Sequence, residues 1–268
     1  MSDYFFKRFY KTVKGPDWPG VENMVEFSKL PARIKDECRD VHGLDQRLNE
    51  LEDKTYWYKN ISHSIVYRKD NVVYVPTFKC ASTYYTDLVL SQGWVKENIW
   101  DLDLEKYKAF GLMLHPFTRR LKGIIQLMKK SFSNDFSKAS NFLLDENNRN
   151  FVSQISIMDG HTLPYSFLFG SKLAQIDWLP MEVYTDDEIK SSIISFCKQN
   201  GVDIIIPRND KRSNQSSDDR IKLYDSLKRI FLDEYETNAE LYLLFADDLK
   251  FFHALLNKHQ QQRNEEQR

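Results

Sequence analysis

Residues Val72–Tyr85 read VVYVPTFKCASTYY, an apolar strand-like run that ends in a lysine and two hydroxyl residues where a helix can begin. Tyr84 with Leu88 and Tyr85 with Val89 form i,i+4 pairs, a spacing that predicts a helix packing back on the strand. The first N–H groups of such a helix have no intrahelical acceptor and lie at the positive end of its dipole. A strand, a loop and a helix in this order therefore make a place to hold a phosphate or sulfate. Lys79 adds a full charge there, and Ser82 and Thr83 add hydroxyl donors. No glycine occurs between Val72 and Gly93, so the stretch is not the GxxxxGK[ST] loop that wraps nucleoside triphosphates.

Outward from this segment, short apolar runs alternate with amphipathic stretches: FGLML at 110–114, ISIMD at 155–159 and VDIIIP at 202–207. The alternation predicts βα units and an α/β fold with a central parallel sheet flanked by helices. Leu121, Ile124, Ile125 and Met128 fall at i, i+3, i+4 and i+7, one apolar stripe that leaves Arg119 and Lys122 on other faces. Thr185 and Glu188 frame a capping box, Ile189, Ile193, Phe196 and Cys197 follow as a stripe, and Gly201 is placed to end that helix. Leu241, Leu244, Phe245, Leu249 and Phe252 recur at helical spacing near the C-terminus. The sequence reads as one domain over 1–268: a helical and loop region at 1–70, a core at 71–257 and a frayed polar tail at 258–268.

The 268 residues carry a net charge of −1, so no general attraction to nucleic acid or anionic membrane is expected, and any anion site is a local cluster of basic residues. Cys38, Cys80 and Cys197 are widely separated, odd in number and without metal-ligand spacing, which argues against a disulfide framework and structural zinc. The N-terminal residues lack the apolar core of a signal peptide, and no run approaches the ~20 apolar residues of a membrane span. A soluble cytoplasmic protein is expected, with Phe5, Phe6, Phe9 and Tyr10 packing against the domain rather than on a membrane.

Four segments between Val72 and Leu256 resemble, in order, those of the PAPS-dependent carbohydrate sulfotransferases. TFKCASTYY is similar to their 5′-phosphosulfate loop, PKxxST. FGLMLHPFTRRLKGI is similar to the strand ending in R-D/H-P-F-x-R-x-x-S that binds the 3′-phosphate; His115, Pro116, Phe117 and Arg119 match, whereas Leu114 replaces an arginine and Lys122 a serine. His161, Pro164 and Tyr165 correspond to an H-W-x-P-Q-like string before a strand pair and a capped helix. PRNDKRSNQSS resembles the loop that closes over the nucleotide.

The resemblance implies a P-loop-NTPase-like sulfotransferase fold and transfer of a sulfuryl group from 3′-phosphoadenosine 5′-phosphosulfate (PAPS) to a hydroxyl, on a carbohydrate, without a metal. It assigns Lys79, Cys80, Ala81, Ser82, Thr83 and Tyr84 to the 5′-phosphosulfate, Arg119 and Lys122 to the 3′-phosphate, and Lys211, Arg212 and Ser213 to the closing loop. Lys79 would stabilise the leaving oxygens and His161 would act as general base, with Asp101, Asp103 and Glu105 as alternatives. Cys80 reads as a packing residue rather than a nucleophile. Trp57, Tyr58, Trp94, Trp100 and Trp178 are candidates for a sugar-stacking floor. Leu114 offers no donor to a phosphate, which leaves a non-catalytic nucleotide- or glycan-binding relic of the fold as the alternative. A kinase-like enzyme would need Mg²⁺ ligands and a phosphate-wrapping glycine loop that the sequence does not display.

Overall fold

The computed structural model describes residues 64–133, 135–145, 161–207, 225 and 245–266. Where the sequence reads as one domain, these residues group into two compact units. One holds 64–116, 165–207 and 247–266; the other holds 117–133, 135–145, 161–164, 225, 245 and 246. The expected strand at 155–159, the N-terminal basic segment, Trp57, Tyr58, Leu241 and Leu244 lie outside the described residues.

The larger unit is built on a five-stranded mixed sheet. Strands β1 (Ile65–Lys69), β2 (Val72–Val75), β3 (Val95–Asn98), β4 (Lys108–Met113) and β5 (Ile176–Pro180) lie in the order β3-β1-β2-β4-β5. β2, β4 and β5 are parallel, but β1 pairs antiparallel with both β2 and β3. The expected central parallel sheet is thus a parallel run of three strands within a mixed sheet. β1 and β2 form a hairpin whose Asp70 takes φ 52°, a left-handed conformation that a short polar side chain tolerates. This hairpin begins within the stretch read from sequence as helix and loop.

Helix α1 (Ser82–Ser91) follows β2, and its Tyr85 and Val89 are buried against the sheet with Tyr84 and Leu88 packed beside them. The predicted i,i+4 pairs thus form the face that docks. VDIIIP at 202–207 is not a strand. Val202, Ile204 and Ile206 are buried while Asp203 and Ile205 are exposed, an alternation of period two that has no sheet partner among the described residues. Both backbone groups of Ile205 are instead bound by the Gln92 side chain, at 2.9 Å each. In place of the expected strand pair, the short helix α4 (Tyr165–Phe169) and a 3₁₀ turn (Gly170–Gln175) lead into the single strand β5.

Helix α5 (Asp186–Gln199) carries the predicted capping box, and Gly201 takes φ 75° just beyond its end. Helix α6 (Ala246–Glu266) runs through the segment expected to fray. His259 is buried there and bonds Tyr184 Oη at 2.6 Å and the Trp178 carbonyl at 3.0 Å; Arg263 donates to Val183 O and pairs with Glu188. The frayed-tail expectation is overturned because these polar groups have partners on β5, on α5 and in the segment between them.

In the smaller unit, helix α2 (Pro116–Ser131) buries the expected stripe of Leu121, Ile124, Ile125 and Met128. Phe132 packs on Phe142 of α3 (Phe136–Phe142), with ring centroids 5.3 Å apart. No helix among the described residues is long and apolar enough to cross a membrane.

Candidate anion-binding loop

The loop between β2 and α1 is pinned at several points. Thr77 is buried and its hydroxyl donates to the Leu112 carbonyl of β4 at 2.6 Å. Cys80 N donates back to Thr77 O at 3.2 Å, closing a turn. On either side of Cys80 the backbone is left-handed: Lys79 has φ 72° and Ala81 φ 55°. Neither is glycine, so each conformation costs about 1–2 kcal/mol. Alternation of the sign of φ turns neighbouring N–H groups to one side, the arrangement of anion-binding nests.

Ala81 is also the N-cap of α1, and its side chain makes no capping bond to that helix. A serine or aspartate at the same position would be worth about 1 kcal/mol to the helix. The first turn has no acidic residue, so the positive end of the dipole is not offset locally. Left-handed backbone at Lys79 and an N-cap without a capping side chain at Ala81 are two local costs, two residues apart, in the one loop that carries Lys79.

Lys79, Cys80, Ala81, Ser82, Thr83 and Tyr84 are therefore contiguous in this one loop and helix start. Their roles differ. The Cys80 side chain is fully buried and its amide is engaged in the turn, so it anchors the loop. Tyr84 packs edge-on against Tyr85 at 4.9 Å. Ser82 is half-buried and Thr83 exposed.

The second group of assigned residues belongs to the smaller unit. Arg119 and Arg120, in the first turns of α2, are each 0 % exposed. The Arg120 guanidinium lies 5.8 Å from the ring centre of Phe245, a cation–π distance. Lys122 is half-buried. Gly123 of the same helix faces His161 and Thr162: a Cβ built on it would stand 2.5 Å from the His161 carbonyl oxygen. The helix that carries Arg119 and Lys122 and the segment that carries His161 are thus in contact. Lys211, Arg212 and Ser213 lie outside the described residues.

Among the alternative bases, Asp103 caps the amide of Glu105 and pairs with Lys106 at 2.9 Å, and the bond to Lys106 holds its carboxyl below the ordinary carboxylate range. A lowered pKa weakens it as a base. Asp101 and Glu105 are exposed. His115 is largely buried, edge-on to Phe252, and burial depresses its pKa to about 4. Trp94 and Trp178 are core residues, 3 % and 2 % exposed, and so are removed from the sugar-stacking candidates; Trp100 is half-buried with Lys172 near its ring.

Three further residues take up contacts that the sequence does not foretell, although Tyr165 belongs to the string that the resemblance singles out. Tyr165 Oη contacts Cys80 Sγ at 3.5 Å and both backbone groups of Leu114. Asp248, fully buried, accepts from the amides of Tyr165 and Ser166. Glu182 accepts from His115 N at 2.5 Å. These residues come from segments far apart in the chain, so only the folded topology unites them with their partners. Compared with family models, with curated proteins and with solved structures, the chain matches none.

Proposed function

We propose that the chain is a sulfotransferase that takes PAPS as sulfuryl donor and a hydroxyl, on a carbohydrate, as acceptor, with the P-loop-NTPase-like arrangement centred on β2 and β4. One observation carries the reading: a helix start whose N-cap, Ala81, has no capping side chain and is left-handed, as is the nearby Lys79, at the carboxyl end of a strand inside the sheet. Ligands of open α/β sheets bind beyond the carboxyl ends of the strands. The donor set there, main-chain N–H groups, two hydroxyls and an ammonium, suits a 5′-phosphosulfate.

PAPS supplies an activated sulfuryl group whose leaving group is a phosphate. The chain's part is to hold that phosphate and neutralise the charge that grows on it during in-line transfer. The N–H groups of Ser82 and Thr83 orient the phosphosulfate, and Lys79 stabilises the leaving oxygen. Arg119 and Lys122 are assigned to the 3′-phosphate and His161 to the acceptor proton. A second reading, a non-catalytic relic of the fold, is favoured by Leu114, a buried residue without a side-chain donor where the family carries arginine.

Calorimetric titration with 3′-phosphoadenosine 5′-phosphate, the desulfated product, tests the reading without knowledge of the acceptor. Binding should weaken about tenfold or more in Lys79→Ala, equivalent to ~1.4 kcal/mol. Absence of binding at millimolar ligand would remove PAPS as the donor. Binding without turnover across a panel of sugar acceptors would favour the relic.

A further inference from the structure

Tyr165 is buried to 0 % exposure, and its hydroxyl sits among three groups from two other segments. Leu114 N donates to Tyr165 Oη at 3.1 Å, Tyr165 Oη donates to Leu114 O at 3.2 Å, and Cys80 Sγ lies 3.5 Å away. A phenol has one proton and two lone pairs. If its proton goes to the Leu114 carbonyl, one lone pair accepts from Leu114 N and the other faces the Cys80 thiol, whose single proton is shared between Tyr165 Oη and the Phe78 carbonyl at 3.8 Å. The reverse assignment, with the phenol donating to sulfur, would leave a buried carbonyl without this bond. Tyr165 is itself fixed from behind, since the buried Asp248 carboxylate of α6 accepts from its amide and from that of Ser166. Its ring lies 6.0 Å from that of Trp178 on β5.

We infer that Tyr165 is a positioning residue that ties the anion-binding loop, through Cys80, to the end of β4 at Leu114. Cys80 is the residue between the two left-handed positions Lys79 and Ala81. A tether at that point holds the strained loop in its donor-directing shape before any ligand arrives, which lowers the cost of ordering on binding. The same hydroxyl fixes the backbone at Leu114, next to His115 and the start of α2. One side chain thus sets the loop after β2 against the segment after β4. The inference rests on the proposed reading for the identity of the ligand, but not for the existence of the tether.

Two measurements on wild type, Tyr165→Phe, Cys80→Ala and the double variant separate these points. In amide hydrogen exchange, Tyr165→Phe should accelerate exchange across 77–84 while β1, β5 and α5 keep wild-type protection. Cys80→Ala should do the same, and the double variant should add little, because both remove one tether. In calorimetry, Tyr165→Phe should weaken 3′-phosphoadenosine 5′-phosphate at least about tenfold with the chain still folded. Unchanged loop exchange in Tyr165→Phe overturns the tether. Faster loop exchange with unchanged nucleotide affinity overturns its role in positioning. A loosened loop in a chain whose wild type binds no nucleotide instead overturns the sulfotransferase reading and, with it, the use assigned to the tether.

Discussion

Gly111 sits in the middle of β4, opposite Trp178 in the parallel pairing with β5. A Cβ at that position would come within 2.5 Å of the Trp178 ring and 3.0 Å of the Val75 carbonyl oxygen. The indole cannot move away easily, because it is 2 % exposed and its N–H is bound to Leu173 O at 2.8 Å. Gly111→Ala should therefore cost about 1–3 kcal/mol, the range for overpacking a filled core, and a lower urea midpoint at unchanged slope would show it. A neutral result would mean that the sheet and Trp178 shift together. Gly111 also lies one residue before Leu112, whose carbonyl holds Thr77, so displacement of this strand would reach the anion-binding loop.

At the scale of elements, local spacing was a good guide wherever the physics is local. The capping box of α5, its terminating Gly201, the docking face of α1 and the stripe of α2 all depend on residues within a few positions of one another. The candidate loop belongs to this class, because strand, lysine, hydroxyls and helix are consecutive. What the sequence concealed depends on distant partners. The VDIIIP run reads as a strand by composition, yet its open backbone groups meet the Gln92 side chain rather than another strand. The polar C-terminal segment reads as frayed because nothing nearby can order it. In the fold, His259 bridges Tyr184 and Trp178, and Arg263 joins Val183 to Glu188. Likewise the partners of Tyr165 and Asp248 are set only when the chain brings Cys80 and Leu114 to one and the amides of Tyr165 and Ser166 to the other. Truncation after Lys258 should lower the thermal midpoint by several degrees, since each lost buried bond is worth about 1 kcal/mol. An unchanged midpoint would restore the frayed tail.

For the molecule as a whole, a net charge of −1 leaves little long-range field, so pH acts through particular buried groups. His115 is the main one. Burial, followed by the nearby His253, lowers its pKa from 6.5 to about 4. Glu182 accepts from its backbone N–H and Phe252 faces its ring. His259 is shifted the same way, chiefly by burial and against the pull of the Trp178 carbonyl. In both cases the unfolded chain takes up the proton first as pH falls, so the unfolded state binds more protons than the folded one and stability declines. The His115 contribution is fully present above about 6.5, is lost progressively down to about 4 and falls no further below that. Its full size is about 3 kcal/mol, less whatever solvent reaches the ring. From the lower end of this window downward the carboxylates add a second loss, because Glu188, held low by its capping bonds to Thr185, must then be protonated. Urea unfolding at pH 7.5, 6, 5 and 4.5 should show stability falling monotonically, and His115→Gln should flatten the slope between 6.5 and 4.5. A wild-type curve flat across that interval would mean that the imidazole reaches solvent and that His115 is not buried as described.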